Sequence, residues 1–191
     1  MQASDFQKAQ KLRDNGQIDG AIELYKKVGD AESLHMIGVC YYQDKKFKKA
    51  NEYLEKALKK FEEEKNSEFT GFVLRDLGMV ARGQKDFEKA EKFLSESIER
   101  LKEIGNKGHE GMSHVKLGRV FADQGKFNLA FDEINKGIEL LEQSDEKFFL
   151  SSAYLDRAKV DVLMSQSILN SFAREDEFLE RRKELEKLLG N

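Results

Sequence analysis

Apolar residues recur along this chain at spacings of three and four, which is the periodicity of amphipathic α-helices. Within residues 72–83, for example, Leu74, Leu77 and Ala81 fall on one helical face. The polar residues 84–86 then interrupt the pattern, as is typical of a turn, and a second amphipathic segment follows. The chain is therefore predicted to consist of helices joined by short turns.

The full pattern predicts eight helices up to residue 143 and two further helical segments after it. A Ser-x-x-Gln capping box at Ser4 predicts that the first helix starts near Asp5. No proline occurs among the 191 residues, which fits an all-α chain. The predicted ranges are about 5–14, 18–28, 31–44, 47–64, 67–83, 87–104, 107–123, 127–143, 148–168 and 172–189.

One motif repeats three times at an interval of 40 residues. It consists of a glycine, an aromatic residue nine positions later, and an alanine three positions after that. A weaker copy near the N-terminus carries Ala21 at the alanine site, 29 residues before the next copy. The motif residues are Gly38, Gly78 and Gly118, then Phe47, Phe87 and Phe127, and finally Ala50, Ala90 and Ala130.

The three glycines lie inside apolar helical patterns, although a glycine there costs about 1 kcal/mol relative to alanine. Their presence predicts that two helices approach closely at each site. The alternative is that each glycine ends a helix. The apolar face continues past each glycine, which favours the packing interpretation.

The pattern resembles the tetratricopeptide repeat family over roughly residues 3–142. The resemblance implies a right-handed superhelix of antiparallel helix pairs. It divides residues 1–145 into four repeats, at about 3–30, 31–66, 67–106 and 107–145. Residues 146–191 are expected to form a degenerate repeat and a C-terminal helix that caps the array. Alternatives for this last segment are a partner-binding or dimerising helix and a loosely attached tail.

Three features depart from the family pattern. The family's tryptophan-like site holds Leu34, Leu74 and His114, and no proline closes any repeat. The repeat interval is 40 residues, whereas the family's usual interval is about 34. The longer unit is similar to a subgroup with extended helices, found in polarity scaffolds and in bacterial peptide-sensing regulators.

The resemblance further implies that the first helix of each pair lines a concave face. Arginine suits carboxylates, and methionine and aromatic rings supply adaptable apolar contacts. We therefore expect a groove that accepts a protein or peptide segment with acidic and apolar residues. The alternative is that the arginines pair with Asp and Glu on neighbouring helices. The residues that map to the groove are Phe6, Gln10, Arg13, His35, Val39, Tyr42, Phe72, Arg75, Met79, Arg82, Met112, Val115 and Arg119.

Some family members clamp the C-terminal carboxylate of heat-shock chaperones with asparagines and basic residues. This chain carries none of the clamp residues at the matching sites, so we expect that it does not bind chaperones in this way. The residues found there are Phe6, Gln10, Met36, Phe72 and Asp76.

The composition narrows the classes of partner. The net charge of -3 argues against a nucleic-acid binder, and no apolar run approaches the length that spans a bilayer. A single cysteine, Cys40, fits a reducing compartment, and the N-terminal residues lack the apolar core of a signal peptide. We expect a cytoplasmic protein.

Catalysis, cofactors and metal binding find no support in the sequence. His109 and His114 are five residues apart without a nearby cysteine, which is poor spacing for zinc ligands. Cys40 falls at a small packed site, where a buried structural thiol is expected. The predicted function is a protein-interaction adaptor or scaffold. The alternatives are a peptide-sensing regulatory subunit and a protein that self-associates, for example as a homodimer, through its C-terminal helix.

Overall fold

The computed structural model describes residues 2–189, which contain nine α-helices and no strand. The expected all-α fold class is confirmed. Residue 1 and residues 190–191, which fall in the first and last predicted domains, lie outside the described residues. The helices are α1 (Gln2–Asp14), α2 (Ile18–Val28), α3 (Ala31–Gln43), α4 (Phe47–Glu63), α5 (Ser67–Gly83), α6 (Phe87–Glu103), α7 (Lys107–Asp123), α8 (Phe127–Glu142) and α9 (Lys147–Leu189).

The helices pack in sequence order. Each of α1 to α7 contacts the next helix along the chain, and the first helices of neighbouring pairs, α3 and α5 or α5 and α7, also touch. α9 packs against both α7 and α8. This arrangement of antiparallel pairs that contact only their neighbours is an α-helical solenoid.

Polar caps and left-handed turns set the helix ends. The Asp30 and Asn66 side chains accept hydrogen bonds from backbone N–H groups of the first turns of α3 and α5, which satisfies donors left free at a helix start. Lys45, Lys85 and Gly125 adopt φ values of 57°, 63° and 75° in the turns inside three successive pairs. A left-handed residue at this point stops the first helix and lets the chain reverse.

The repeated glycines let the two helices of a pair touch. A Cβ atom at Gly38 or Gly78 would lie 2.6 Å from the side chain of Leu54 or Leu94 on the second helix. The motif alanines on the second helices, including Ala21, are all fully buried. The motif aromatics Phe47, Phe87 and Phe127 are half-buried beside them.

Two details of the predicted helices are wrong. α1 begins at Gln2, so Ser4 lies inside the helix and the capping box does not mark its start. Residues 147–189 form one helix of 43 residues instead of two segments. The residue forty positions after Gly125 is Ser165, and no left-handed residue interrupts the described part of α9.

The two halves of α9 differ in their surroundings. Ala153, Asp156 and Val160 in its first half are buried against the array. From residue 165 onwards, every described side chain is exposed. The first half thus covers α7 and α8, whereas the second half extends beyond the array.

Candidate protein-interaction surface

Hydrogen bonds between first helices cross the predicted concave face. His35 on α3 lies 2.7 Å from Asp76 on α5, through its Nε2 and the carboxylate Oδ2. Burial raises the pKa of Asp76, but the His35 hydrogen bond and the Arg75 charge outweigh it, so this pKa lies below its usual value. Asp76 is therefore ionised at neutral pH and accepts the hydrogen bond from His35.

A second contact joins α5 to α7. Arg75 Nη1 donates to Nδ1 of His109 at 3.0 Å, and the rings of Phe72 and His109 are in contact, tilted by 34° with centroids 3.9 Å apart. Burial and the neighbouring Arg75 charge lower the pKa of His109 to about 4. His109 is therefore neutral at neutral pH, which leaves its Nδ1 lone pair free to accept from Arg75.

Two predicted groove arginines pair with acids on the next first helix. Arg82 Nε lies 2.7 Å from Oδ2 of Asp123, and Arg119 Nη1 lies 3.2 Å from Oδ1 of Asp156. Both contacts agree with the alternative stated above, in which the arginines pair with acidic residues on neighbouring helices. Arg82 has one acid to itself, but Arg119 shares its acid with other cations.

Asp156 is surrounded by three positive side chains. Its carboxylate is 3% exposed and lies 2.8 Å from Lys116 Nζ, 3.2 Å from Arg119 Nη1 and 3.6 Å from Lys159 Nζ. Burial lowers the pKa of Lys116, although the charge of Asp156 opposes this effect. One carboxylate cannot balance three cations, so this cluster keeps an excess of positive charge.

A shallow, open apolar groove lies directly beside this cluster, formed by five residues of α9 and by Arg119 of α7. Its volume is about 530 Å³. Leu155 and Val162 on its wall are 58% and 56% exposed, which is high for large apolar side chains. The lining residues are Arg119, Leu155, Ala158, Lys159, Val162 and Leu163.

The predicted groove residues of α1 pack within the array. Phe6 stands edge-on to Tyr25 at 5.2 Å between ring centroids. Arg13 donates to the Met36 sulfur at 3.1 Å, and Gln10 is half-buried nearby on the same helix. These contacts link α1 to α2 and α3.

The remaining predicted groove residues fall into two groups. Val39 and Tyr42 on α3 are half-buried and keep part of their surface open. Four others are covered by neighbouring helices, so their side chains offer almost no open surface. The covered residues are His35, Met79, Met112 and Val115.

Residues 146–191 were predicted to include a degenerate repeat, but the predicted groove contained no residue of α9. The interval of 40 residues could have found the α9 residues, because adding 40 to Lys116 and Gly118 gives Asp156 and Ala158. α9 thus provides a further first helix in the same register, and its Leu155 and Val162 supply the apolar wall of the groove.

Groups with catalytic potential are held in structural contacts. Cys40 is fully buried, and burial raises the pKa of its thiol to about 11. His114 is half-buried and lies 2.7 Å from Glu133 through its Nδ1. Among the side chains that the structure describes, no group of three or more His, Cys, Asp or Glu residues is placed to hold a metal ion. Across the described residues 2–189, no helix has both the length and the apolarity needed to cross a membrane.

Sequence comparisons agree with the stacked helix pairs. Two tetratricopeptide repeat models match the chain, one over residues 31–64 and the other over residues 69–143. The fold defines a helical-repeat protein. Within that class, the chain belongs to the tetratricopeptide repeat family. No curated protein matches its sequence.

Solved structures share the fold at low sequence identity. Aspartyl phosphate phosphatase F from Bacillus subtilis superposes with a TM-score of 0.75 over 95% of this chain at 14% identity, and this chain spans 50% of its length. The apo form of RapI gives a TM-score of 0.71 over 100% of the chain at 19% identity, covering 77% of RapI. BtubC from P. vanneervenii gives 0.67 over 96% at 17% identity, covering 78% of BtubC. At these identities the likeness shows the fold alone.

Proposed function

We propose that this chain is a non-catalytic interaction scaffold that binds a protein segment in the groove between α7 and α9. The segment would present apolar side chains to Leu155 and Val162 and carboxylates to the cations around Asp156. The observation that carries the proposal is the combination of exposed apolar side chains with an unbalanced positive cluster beside them.

A partner carboxylate should bind more strongly beside Asp156 than elsewhere on the concave face. Arg82 and His35 are each matched by one acid, so a carboxylate from a partner would gain little there. At Asp156, an added carboxylate would meet uncompensated cations in a partly buried setting, where charge-assisted hydrogen bonds are strong. The neighbouring apolar wall supplies the hydrophobic contact that fixes a segment in place.

The experiment is an affinity pull-down with mass spectrometry, using the wild-type chain and two variants. Leu155→Glu with Val162→Glu places charges on the groove wall without touching a buried residue. Leu129→Glu is the matched control, because Leu129 is 48% exposed on α8, away from the groove. Partners captured by the wild type and the control but lost from the groove variant support the proposal. Partners retained by the groove variant contradict it.

A further inference from the structure

Six of the nine large apolar side chains exposed on the described part of α9 follow one line, at spacings of seven residues with a single spacing of three. The first four are 83%, 58%, 56% and 66% exposed, and two more follow in the distal half, 60% and 45% exposed. A spacing of seven is the signature of a coiled coil, because it keeps a seam facing one partner helix. The seam consists of Phe148, Leu155, Val162, Leu169, Phe172 and Leu179.

The seam lies on a side of α9 that the array leaves uncovered, and its Leu155 and Val162 border the groove beside Arg119 of α7. The array is contacted by Ala153, Asp156 and Val160, which are buried and fall on the other side of the helix at 100° per residue. Ala158 and Ser165 lie between the large seam residues. Small side chains at these positions leave room for the larger side chains of a second helix.

The distal half of α9 has no partner within the described part of the chain. α9 is about 64 Å long at 1.5 Å per residue, and its described side chains are all exposed from residue 165 onwards. Most of the stability of helices in proteins comes from tertiary packing of one face, and the distal half lacks such packing. Its stability therefore calls for a packed face.

We propose that this face packs antiparallel against α9 of a second copy of the chain, centred near Ser167. The inference rests on the proposed function, since it takes the groove between α7 and α9 as the docking site. In this register, Leu155 lies opposite Leu179 of the second copy, and Val162 lies opposite Phe172. In a two-fold symmetric dimer of this kind, the same apolar face is buried on both copies.

Charge complementarity supports the antiparallel direction. Four acids, Glu175, Asp176, Glu177 and Glu180, stand within six residues of the distal half, and the bases Arg174, Arg181, Arg182 and Lys183 flank them on both sides. The register brings Glu175 of the second copy level with Lys159, which is one of the cations around Asp156. The distal half of α9 thus offers the kind of acidic and apolar segment that we propose binds in the groove.

A fold-back of the distal half onto its own chain is disfavoured by the sequence. In such a hairpin the distal half would pack as the second helix of a further pair, as α8 does against α7. Ala130 and Ile134 are the residues of α8 that are buried in that packing. Forty residues later, these sites hold Asn170 and Arg174. Polar and charged side chains there would lose hydration without partners.

The apolar area fits a dimer. The five seam side chains from Leu155 to Leu179 would remove on the order of 500 Å² from water on each copy, whereas Phe148 lies opposite Glu186 in this register. A standard specific interface buries roughly 800 Å² on each partner. The charge contacts around Asp156 would add to the apolar area.

The first test is the solution mass of the full chain by light scattering. We expect twice the 22.0 kDa of one chain, falling to a single chain for Phe172→Glu with Leu179→Glu at an unchanged melting temperature of the array. Leu129→Glu should keep the double mass. A wild-type chain of single mass, or a distal variant that keeps the double mass, overturns the inference. The groove pull-down is read separately, so loss of the dimer alone leaves the proposed function standing.

The second test is disulfide cross-linking under a mild oxidant, which reads the direction of pairing. Leu155→Cys and Leu179→Cys chains should each fail to cross-link alone and should form a covalent dimer when mixed. Cross-linking of either variant with itself indicates parallel pairing, and no cross-link in the mixture indicates fold-back or no pairing. Either result overturns the proposed register. Buried Cys40 makes the wild-type chain a suitable blank.

Discussion

A Cβ atom at Gly118 would lie 2.7 Å from the backbone carbonyl oxygen of Ala130, which packs the first helix of this pair directly on the second. The equivalent distances from Gly38 to Ala50 and from Gly78 to Ala90 are 3.3 Å. A side chain can change rotamer to make room, but a backbone carbonyl moves only with its helix. Gly118 is therefore the tightest of the three repeated contacts to backbone.

Gly118→Ala should destabilise the protein by roughly 1–3 kcal/mol, because overpacking outweighs the gain in helix propensity. Gly20→Ala is the control, since its added Cβ would meet only Leu12 at an ordinary 3.4 Å. The control should gain about 0.5–1 kcal/mol from propensity alone. Urea unfolding followed by circular dichroism measures both. Equal effects of the two substitutions would contradict close helix packing at Gly118.

Asp156→Asn should destabilise the protein by about 2–4 kcal/mol, because it leaves Lys116 and Arg119 without their buried counter-charge. Asp123→Asn removes one acid from a more exposed pair with Arg82 and should cost less than about 1 kcal/mol. Thermal unfolding of both variants gives the comparison. A larger loss for Asp123→Asn would show that the Asp156 cluster does not anchor α9.

Stability should fall as the pH drops from about 6.5 towards 4, because His109 has a folded pKa of about 4 against an ordinary value of 6.5. In this window the unfolded chain binds a proton that the folded chain refuses, which favours unfolding. The shift corresponds to a loss of up to roughly 3 kcal/mol at pH 4.

His109→Gln should remove this part of the pH dependence and keep an acceptor for Arg75. The pKa of Glu133 lies below its usual value because of its hydrogen bond from His114, so its own contribution is lost only at lower pH and should persist in the variant. Unfolding curves at several pH values between 4 and 7 test this. An unchanged slope in the variant would exclude His109 as the source.

Cys40 should react with a thiol reagent only as the protein unfolds. Its side chain is fully buried and burial raises its pKa to about 11, so little thiolate forms at neutral pH and none is accessible. Labelling with a chromogenic disulfide in rising urea should follow the unfolding transition measured by circular dichroism. Rapid labelling of the native protein would contradict the burial of this helix face.

The helices and their repeat could be predicted from the sequence because they depend on local patterns. Apolar spacing located most helix ends within one residue, and the 40-residue interval identified the glycine contacts. A further series, Gly71 and Gly111, also lies at close helix contacts and was missed. Both glycines fall inside predicted helices, but they lie seven residues before Gly78 and Gly118 and so outside the repeated motif.

The charge balance of the candidate surface could not be predicted from the sequence. Arg82 and Arg119 look alike in the repeat, but only the folded structure shows that one has its own acid and the other shares Asp156. The continuity of α9 was not predicted either. Ser165 stands where the earlier repeats have a turn residue, and the apolar spacing does not show whether a turn forms there. Side-chain partners across helices depend on tertiary packing that periodicity does not describe.

Photo-cross-linking at Leu155 tests the central claim most directly. A photoreactive amino acid is placed at Leu155 in the groove or at Leu129 on the far side, which are 58% and 48% exposed. Irradiation in cell extract should give covalent adducts for Leu155 and not for Leu129, whether the captured protein is a second copy or another chain. Adducts at Leu129 alone, or equally at both positions, would contradict a docking site between α7 and α9.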